Sequence, residues 1–233
     1  MTGPETLPLT RQTWRNVLAL HFPVSDEALR PVVPPELELL LVDGKWWVTL
    51  SAFEVADGSI GPLPLQRFFQ IELRTPVRDA EGLRGTWYLS VDATSAALAV
   101  EARAAFGMPY GTATIAIESD GAEDPTFALS ARRPTKDPVR CSFSLHVEGT
   151  SRAPVDAEFA EALLFPERTW TRGGEGLKRI EVVRGEGRAA RGRVEELDET
   201  WLWSAGLRRS TDAPAAQYIP KHDVAIYAPV VVR

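Results

Sequence analysis

Gln70, Glu72 and Arg74 alternate with Phe69, Ile71 and Leu73 along the run FFQIELRTPVR. If that run is a β-strand, an amide, a carboxylate and a guanidinium share one face. Such a face supports two chemistries: a solvated surface with a cross-strand ion pair, or acid, base and anion-binding groups lining a cavity. A second candidate is the phenol of Tyr110 in FGMPYGTAT, where an alanine-rich helix gives way to a β-branched strand. Gly107 can take a positive φ at the helix end and Pro109 cannot continue the helix, so turn chemistry accounts for both. It does not account for Tyr110. A phenol with an ordinary pKa of about 10 can donate a hydrogen bond to a carbonyl, act as a weak acid, or simply pack as an aromatic.

Other reaction chemistries find little support. Lys45, Lys136, Lys178 and Lys221 are the only lysines, so any amine chemistry must use one of them. His21, His146 and His222 are widely separated and lack the spacing of metal ligands, and no metal site is expected. The chain has no GxGxxG, P-loop, GxSxG or HExxH motif, and no cofactor is expected. Nucleophilic catalysis by Cys141 or a serine rests on residue types alone.

At 233 residues with 44% hydrophobic content and seven Trp, the chain can bury a substantial core. The single cysteine, Cys141, excludes an intrachain disulfide and fits a reducing compartment, so a cytoplasmic location is expected. MTGPETLPLT is not a basic segment followed by an apolar run, and no stretch approaches the roughly 20 apolar residues that span a bilayer. Neither a membrane nor nucleic acid is an expected partner. Net charge is −6 and the arginines are scattered rather than clustered.

The elements that must position these side chains read as one domain over 1–233, with no repeat or interdomain linker. Ser25 caps a short helix from Asp26 that two prolines stop. KWWVTLSAFEV and FFQIELRTPVR read as strands, and RGTWYLSVDA pairs with the second across DAEGL. SAALAVEARAAFG is the strongest helix, ended by Gly107. Strand-like runs follow at YGTATIAIES, TFALSARR and RCSFSLHVEG. After them come a short helix near VDAEFAEALLF and the runs KRIEVVR, GRVEELDETWLW and AQYIPKHDVAIYAPVVV. TRGGEGLKR and RGEGRAARGR read as mobile hairpin loops. The fold class is α+β with few helices, built on a large bent antiparallel sheet closing into a barrel or cone around a cavity.

The order RNVLALHFPVSDEALRPVVPPELE, DGKWWVTLSAF, ELRTPV and LSVDATSAALAVEARAAFGMPY resembles the YqjF-like family of the acetoacetate decarboxylase-like superfamily. The likeness runs from about Trp14 to Tyr110, with a weaker echo in IPKHDVAIYAPV. In the decarboxylases, the segment resembling ARAAFGMPYG carries two adjacent lysines, the first of which forms a Schiff base with the substrate ketone. Here those positions are Tyr110 and Gly111. Only an amine forms the protonated imine that accepts the electrons released with carbon dioxide, so the resemblance implies the fold without imine chemistry. It further implies site roles for Arg15, Glu72 and Arg103, and a looser one for Glu54. Ala104 stands where the family has a glutamate beside the arginine.

Three functions follow from these readings. The first is a protein that binds a small anionic or carbonyl-containing molecule in an interior cavity, with Arg15, Glu72, Tyr110 and Arg103 as ligand-binding residues. The second is a lysine-independent enzyme using Glu72 as acid or base on a keto acid or related carbonyl compound. The third is a structural protein whose cavity is filled by side chains. The pairs Trp46–Trp47 and Trp201/Trp203 read as core or as subunit contacts of a homo-oligomer. Lys221, inside a family-like segment, is the fallback for an imine.

Overall fold

The computed structural model describes residues 6–148, 157–173, 176–185, 188–210 and 212–232. Their strands are β1 (Thr10–Val24), β2 (Glu38–Leu39), β3 (Trp46–Ile60), β4 (Leu63–Pro64), β5 (Phe68–Arg78), β6 (Arg84–Ala93), β7 (Tyr110–Thr112) and β8 (Thr114–Ser119). They continue as β9 (Thr126–Arg133), β10 (Val139–Val147), β11 (Arg168–Gly173), β12 (Gly176–Arg184), β13 (Ala190–Glu199), β14 (Ala215–Ile226) and β15 (Val230–Val231). The helices are α1 (Asp26–Leu29), α2 (Ala96–Phe106), α3 (Ala157–Leu163) and α4 (Trp201–Ser204), with a 3-10 turn at Arg30–Val32. No helix among the described residues is long and apolar enough to cross a membrane.

All these strands belong to one sheet, and part of that sheet closes on itself. β12, β11, β6, β5, β3, β1 and β14 pair in that order, and Val182–Arg184 of β12 then pair with Val224–Ile226 of β14 to complete the ring. Every pairing in the ring is antiparallel except β11 with β6. From β14 the sheet runs on through β13, β10, β9 and β8 as a second layer. Closure hides the backbone edges that an open sheet would expose. It also gives the ring strands an inside and an outside, and both are covered.

The two faces of β5 show how the sequence meets that demand. Ile71 and Leu73 join Leu18 and Leu50 outside the ring and pack against Leu129, Phe143 and Leu145 of the second layer. Phe68 faces inward with Trp14, Phe53, Val91, Val182 and Val224. Each fully buried side chain of this size contributes roughly 1.5–3 kcal/mol. Gln70, Glu72 and Arg74 share the inward parity of Phe68 and are all buried, so the polar face is interior to the ring and the solvated-surface reading is set aside.

Helix α2 covers the ring from one end. Ser95 accepts from the Leu98 amide at 3.3 Å and ends the preceding strand segment cleanly. Gly107 ends the helix with φ 69°, the left-handed conformation that glycine adopts without steric cost. Of its buried face, Ala99, Ala102 and Phe106, the last two look into the ring. Small alanines let the helix approach closely, and Phe106 fills the last turn.

Most sequence assignments survive, with two differences. The N-terminal run, valued above only for its resemblance, is the long central strand β1, paired on both sides by β3 and β14. GRVEELDETWLW is a strand only to Glu199, after which Trp201–Ser204 forms a helical turn. β11 and β12 form the hairpin expected at TRGGEGLKR, pairing from Arg168↔Glu181 to Gly173↔Gly176. Residues 174–175 of that turn, 186–187 of RGEGRAARGR and 155–156 of VDAEFAEALLF lie outside the described residues.

Candidate ligand-binding site

The ring encloses a cavity of about 50 Å3, walled by side chains from every ring strand and by α2. A volume of that order admits a few waters or a handful of non-hydrogen atoms. Leu98, Ala102, Phe106 and Met108 form an apolar end, and Gln70, Tyr88, Tyr110 and Thr169 bring polar atoms to the rest. The FGMPYG turn therefore does point into a pocket: Met108 and Tyr110 both reach it.

Behind the cavity wall lies the Glu72 carboxylate, 1% exposed. One oxygen accepts from Ser51 Oγ and from Arg74 Nε, each at 2.9 Å, and the other accepts from Gln70 Nε2 at 3.2 Å. A buried charge is tolerated when its lone pairs are met and an opposite charge is adjacent, and both conditions hold. Gln70 then presents its amide oxygen to the Tyr110 hydroxyl at 3.4 Å, which links the carboxylate to the cavity. Gln12 is fixed from the other side, its Oε1 accepting from Trp14 Nε1 at 2.7 Å.

Both cavity tyrosines are held neutral. Burial raises the pKa of Tyr88 first, and the Glu72 carboxylate raises it further. Tyr110 is raised by burial, then by Tyr88 and Glu72. At neutral pH the wall offers phenol O–H groups, which donate hydrogen bonds, and no phenolate. His222 is buried, and neither ring nitrogen bonds a described residue. Burial lowers its pKa to about 4, so it is a neutral imidazole set between Trp14 and Phe165. Among the described residues no group of three His, Cys, Asp or Glu could hold a metal ion.

The four residues singled out from sequence do not all meet. Glu72 and Tyr110 share this interior through Gln70. Arg15 does not join them: its side chain is half-exposed and pairs with Asp57 at 3.6 Å. The reason is local register. Trp14 takes the inward position of β1, and Arg15 beside it on the strand points out. A bulge around Asn16, at φ 51°, then returns Val17 to the inner cluster. Arg103 is also outside, where its Nε donates to the Tyr110 carbonyl at 3.1 Å. It ties the turn to the helix rather than facing the cavity. Glu54 pairs with Arg67 at the ring's outer wall, and Lys221 is exposed and pairs with Asp223 at 3.3 Å.

The turn also leaves no room for a side chain at Gly111, the position that the resemblance sets against the second lysine. A Cβ built on Gly111 would lie 2.5 Å from Asp92 Oδ1. Asp92 is itself pinned by Arg133, with Nε–Oδ1 at 3.0 Å and Nη2–Oδ2 at 2.5 Å. No side chain fits at Gly111 unless that ion pair moves.

Sequence reasoning missed Tyr88, Trp14 and Arg184, all of which line the cavity. The signal for Arg184 was present: Ile180, Val182 and Arg184 alternate on one face of KRIEVVR. Assigning the following glycines and arginines to a loop obscured it.

Solved structures with the same fold include acetoacetate decarboxylase from Legionella pneumophila, at TM-score 0.72 and 17% identity over 100% of this chain and 92% of that one. The enduracididine biosynthesis enzyme MppR complexed with pyruvate matches at TM-score 0.66 and 12% identity, over 98% and 92%. An acetoacetate decarboxylase-like enzyme from Sphingomonas wittichii RW1 matches at 0.67 and 11%, over 98% and 94%. Among curated sequences, the uncharacterized protein YqjF of Bacillus subtilis is 32% identical over 138 residues, and the match spans 58% of this chain and 56% of that protein. A family model covers residues 11–231, and the chain belongs to that family, DUF2071 (uncharacterized conserved protein), with an acetoacetate decarboxylase-like fold.

Proposed function

We propose that this protein binds a small carbonyl-containing or anionic organic molecule in the cavity of its closed ring, without forming a Schiff base. The observation that carries the reading is Tyr110. It stands on the turn that resembles the reactive-lysine turn of the decarboxylases, and its hydroxyl lies beside Gln70 in the wall of the enclosed cavity. A neutral phenol and an amide edge can hold a carbonyl or carboxylate oxygen but cannot condense with it. No lysine is among the described residues lining the cavity. That one fold relative is complexed with pyruvate supports a ligand of this class. Binding is favoured over acid–base catalysis because Ser51, Arg74 and Gln70 already engage the Glu72 carboxylate. A cytoplasmic location goes with the reading, since the lone Cys141 is buried and unpaired.

Two measurements on the intact protein test it. Borohydride added with acetoacetate should leave the mass unchanged, and an adduct on any lysine would refute the imine-free chemistry. Titration of butyrate or 2-pentanone into 15N-labelled protein should shift the amides of Gln70, Tyr88 and Tyr110 together. Shifts confined to other regions, or none at all, would refute the cavity as the site.

A further inference from the structure

The cavity wall contains one charged side chain among the described residues, Arg184, and it has no counter-ion there. The nearby carboxylates are committed elsewhere. Glu72 is paired with Arg74, Asp57 with Arg15, and Asp223 with Lys221 and the Thr13 hydroxyl. Arg184 is nevertheless held in place. Its guanidinium carbon stands 5.0 Å from the centroid of the Trp14 ring, which is stacked on Phe53 at 4.2 Å. Its Nε donates to the Pro166 carbonyl at 3.0 Å. Neither terminal nitrogen is hydrogen-bonded to a described residue, so the donors that would grip an anion remain available.

Position makes that availability useful. Arg184 and Gln12 line both the interior cavity and an open groove of about 500 Å3 between β1, β3, β12 and β14. The guanidinium therefore stands where the groove meets the cavity. Arg184 is partly buried, and a cation drawn out of water without a partner is destabilised, which stacking on Trp14 offsets only in part. Burial lowers the pKa of Arg184 to about 10, which still leaves it charged at neutral pH. Among the described residues lining the cavity the tyrosines and amides are neutral, so Arg184 is the one charge on that wall, and one anionic group would balance it.

Resting on the ligand-binding reading above, we propose that Arg184 is the anion anchor of the cavity, receiving the carboxylate of a short-chain monocarboxylic acid whose remaining atoms point inward toward Tyr88, Gln70 and Tyr110. A guanidinium takes a carboxylate through two parallel hydrogen bonds, which fixes its orientation as well as its charge. A monocarboxylate is specified because no second cation lines the described wall of the cavity, Arg11 lining only the groove outside it. A short chain is specified because the cavity holds only about 50 Å3.

The test is calorimetric titration of butyrate and its neutral relative 2-pentanone into wild type, Arg184→Gln and Arg184→Lys, with thermal unfolding of each protein measured alongside. Arg184→Gln should weaken butyrate binding by about tenfold or more, the size of a lost charge-assisted hydrogen bond, and leave 2-pentanone within about twofold. Arg184→Lys, which keeps the charge without the fork, should fall between them, and it carries the test if the glutamine variant fails to fold. Butyrate binding that is equal in all three proteins would overturn the anchor while leaving the cavity reading intact. Failure of wild type to bind either compound would overturn both.

Discussion

Tyr110 and Glu72 face the same interior without touching: Gln70 stands between them, accepting from the phenol at 3.4 Å and donating to the carboxylate at 3.2 Å. The carboxylate is thus a support of the cavity wall, and the phenol is the part a ligand would meet. This division separates residues whose loss should damage the fold from residues whose loss should damage binding.

Glu72→Gln should be among the more destabilising single changes in the chain. It leaves Arg74, 3% exposed, without its charge partner, and breaking a buried pair from one side costs about 3–5 kcal/mol. Arg15→Ala removes an ion pair whose side chains are 53% and 74% exposed, and it should cost under about 1 kcal/mol. Chemical denaturation of the two variants measures both. Equal losses would show that Arg15 carries structure the ring geometry does not assign to it.

Stability should fall on mild acidification, because His21 is buried in its neutral form. Burial lowers its pKa from 6.5 to about 3, with the Gln217 hydrogen bond opposing and Arg74 reinforcing that shift. Its ring nitrogens lie 2.9 Å from Thr49 Oγ1 and from Gln217 Oε1. Between those two pKa values the unfolded chain binds the proton and the folded chain does not, so folding free energy drains away as pH drops below about 6.5. For this one group the loss is about 3 kcal/mol by pH 4.5. His21→Gln should reduce the pH dependence of denaturant midpoints over pH 4.5–6.5 to about half, the remainder coming from His222, whose pKa burial lowers to about 4; an unchanged slope would mean that His21 is protonated in the fold.

Local signals made most elements legible, because each was settled within a few residues. Ser95, the alanine run and Gly107 define α2 without reference to the rest of the chain, and the alternation in FFQIELRT defines β5. What the alternation could not say is which face is wet, since that depends on a ring closed by β12 and β14, about 40 residues apart in sequence. Arg15 was misplaced for a related reason. A one-residue difference in register turns a side chain from the inner face to the outer one, and Trp14 holds the inner position. Tyr110 could be read from its turn, whereas Arg184 sits at the end of a strand whose closing partner is visible only in three dimensions.

If a ligand binds in the cavity within the ring, filling that cavity abolishes binding, and Ala102→Leu fills it. Ala102 lines the cavity from the buried face of α2. Three added carbons would occupy most of its roughly 50 Å3, at an overpacking cost of about 1–3 kcal/mol. Calorimetric titration of butyrate should show binding to wild type and none to the folded Ala102→Leu protein, while binding of undiminished affinity to that variant would place the site outside the cavity.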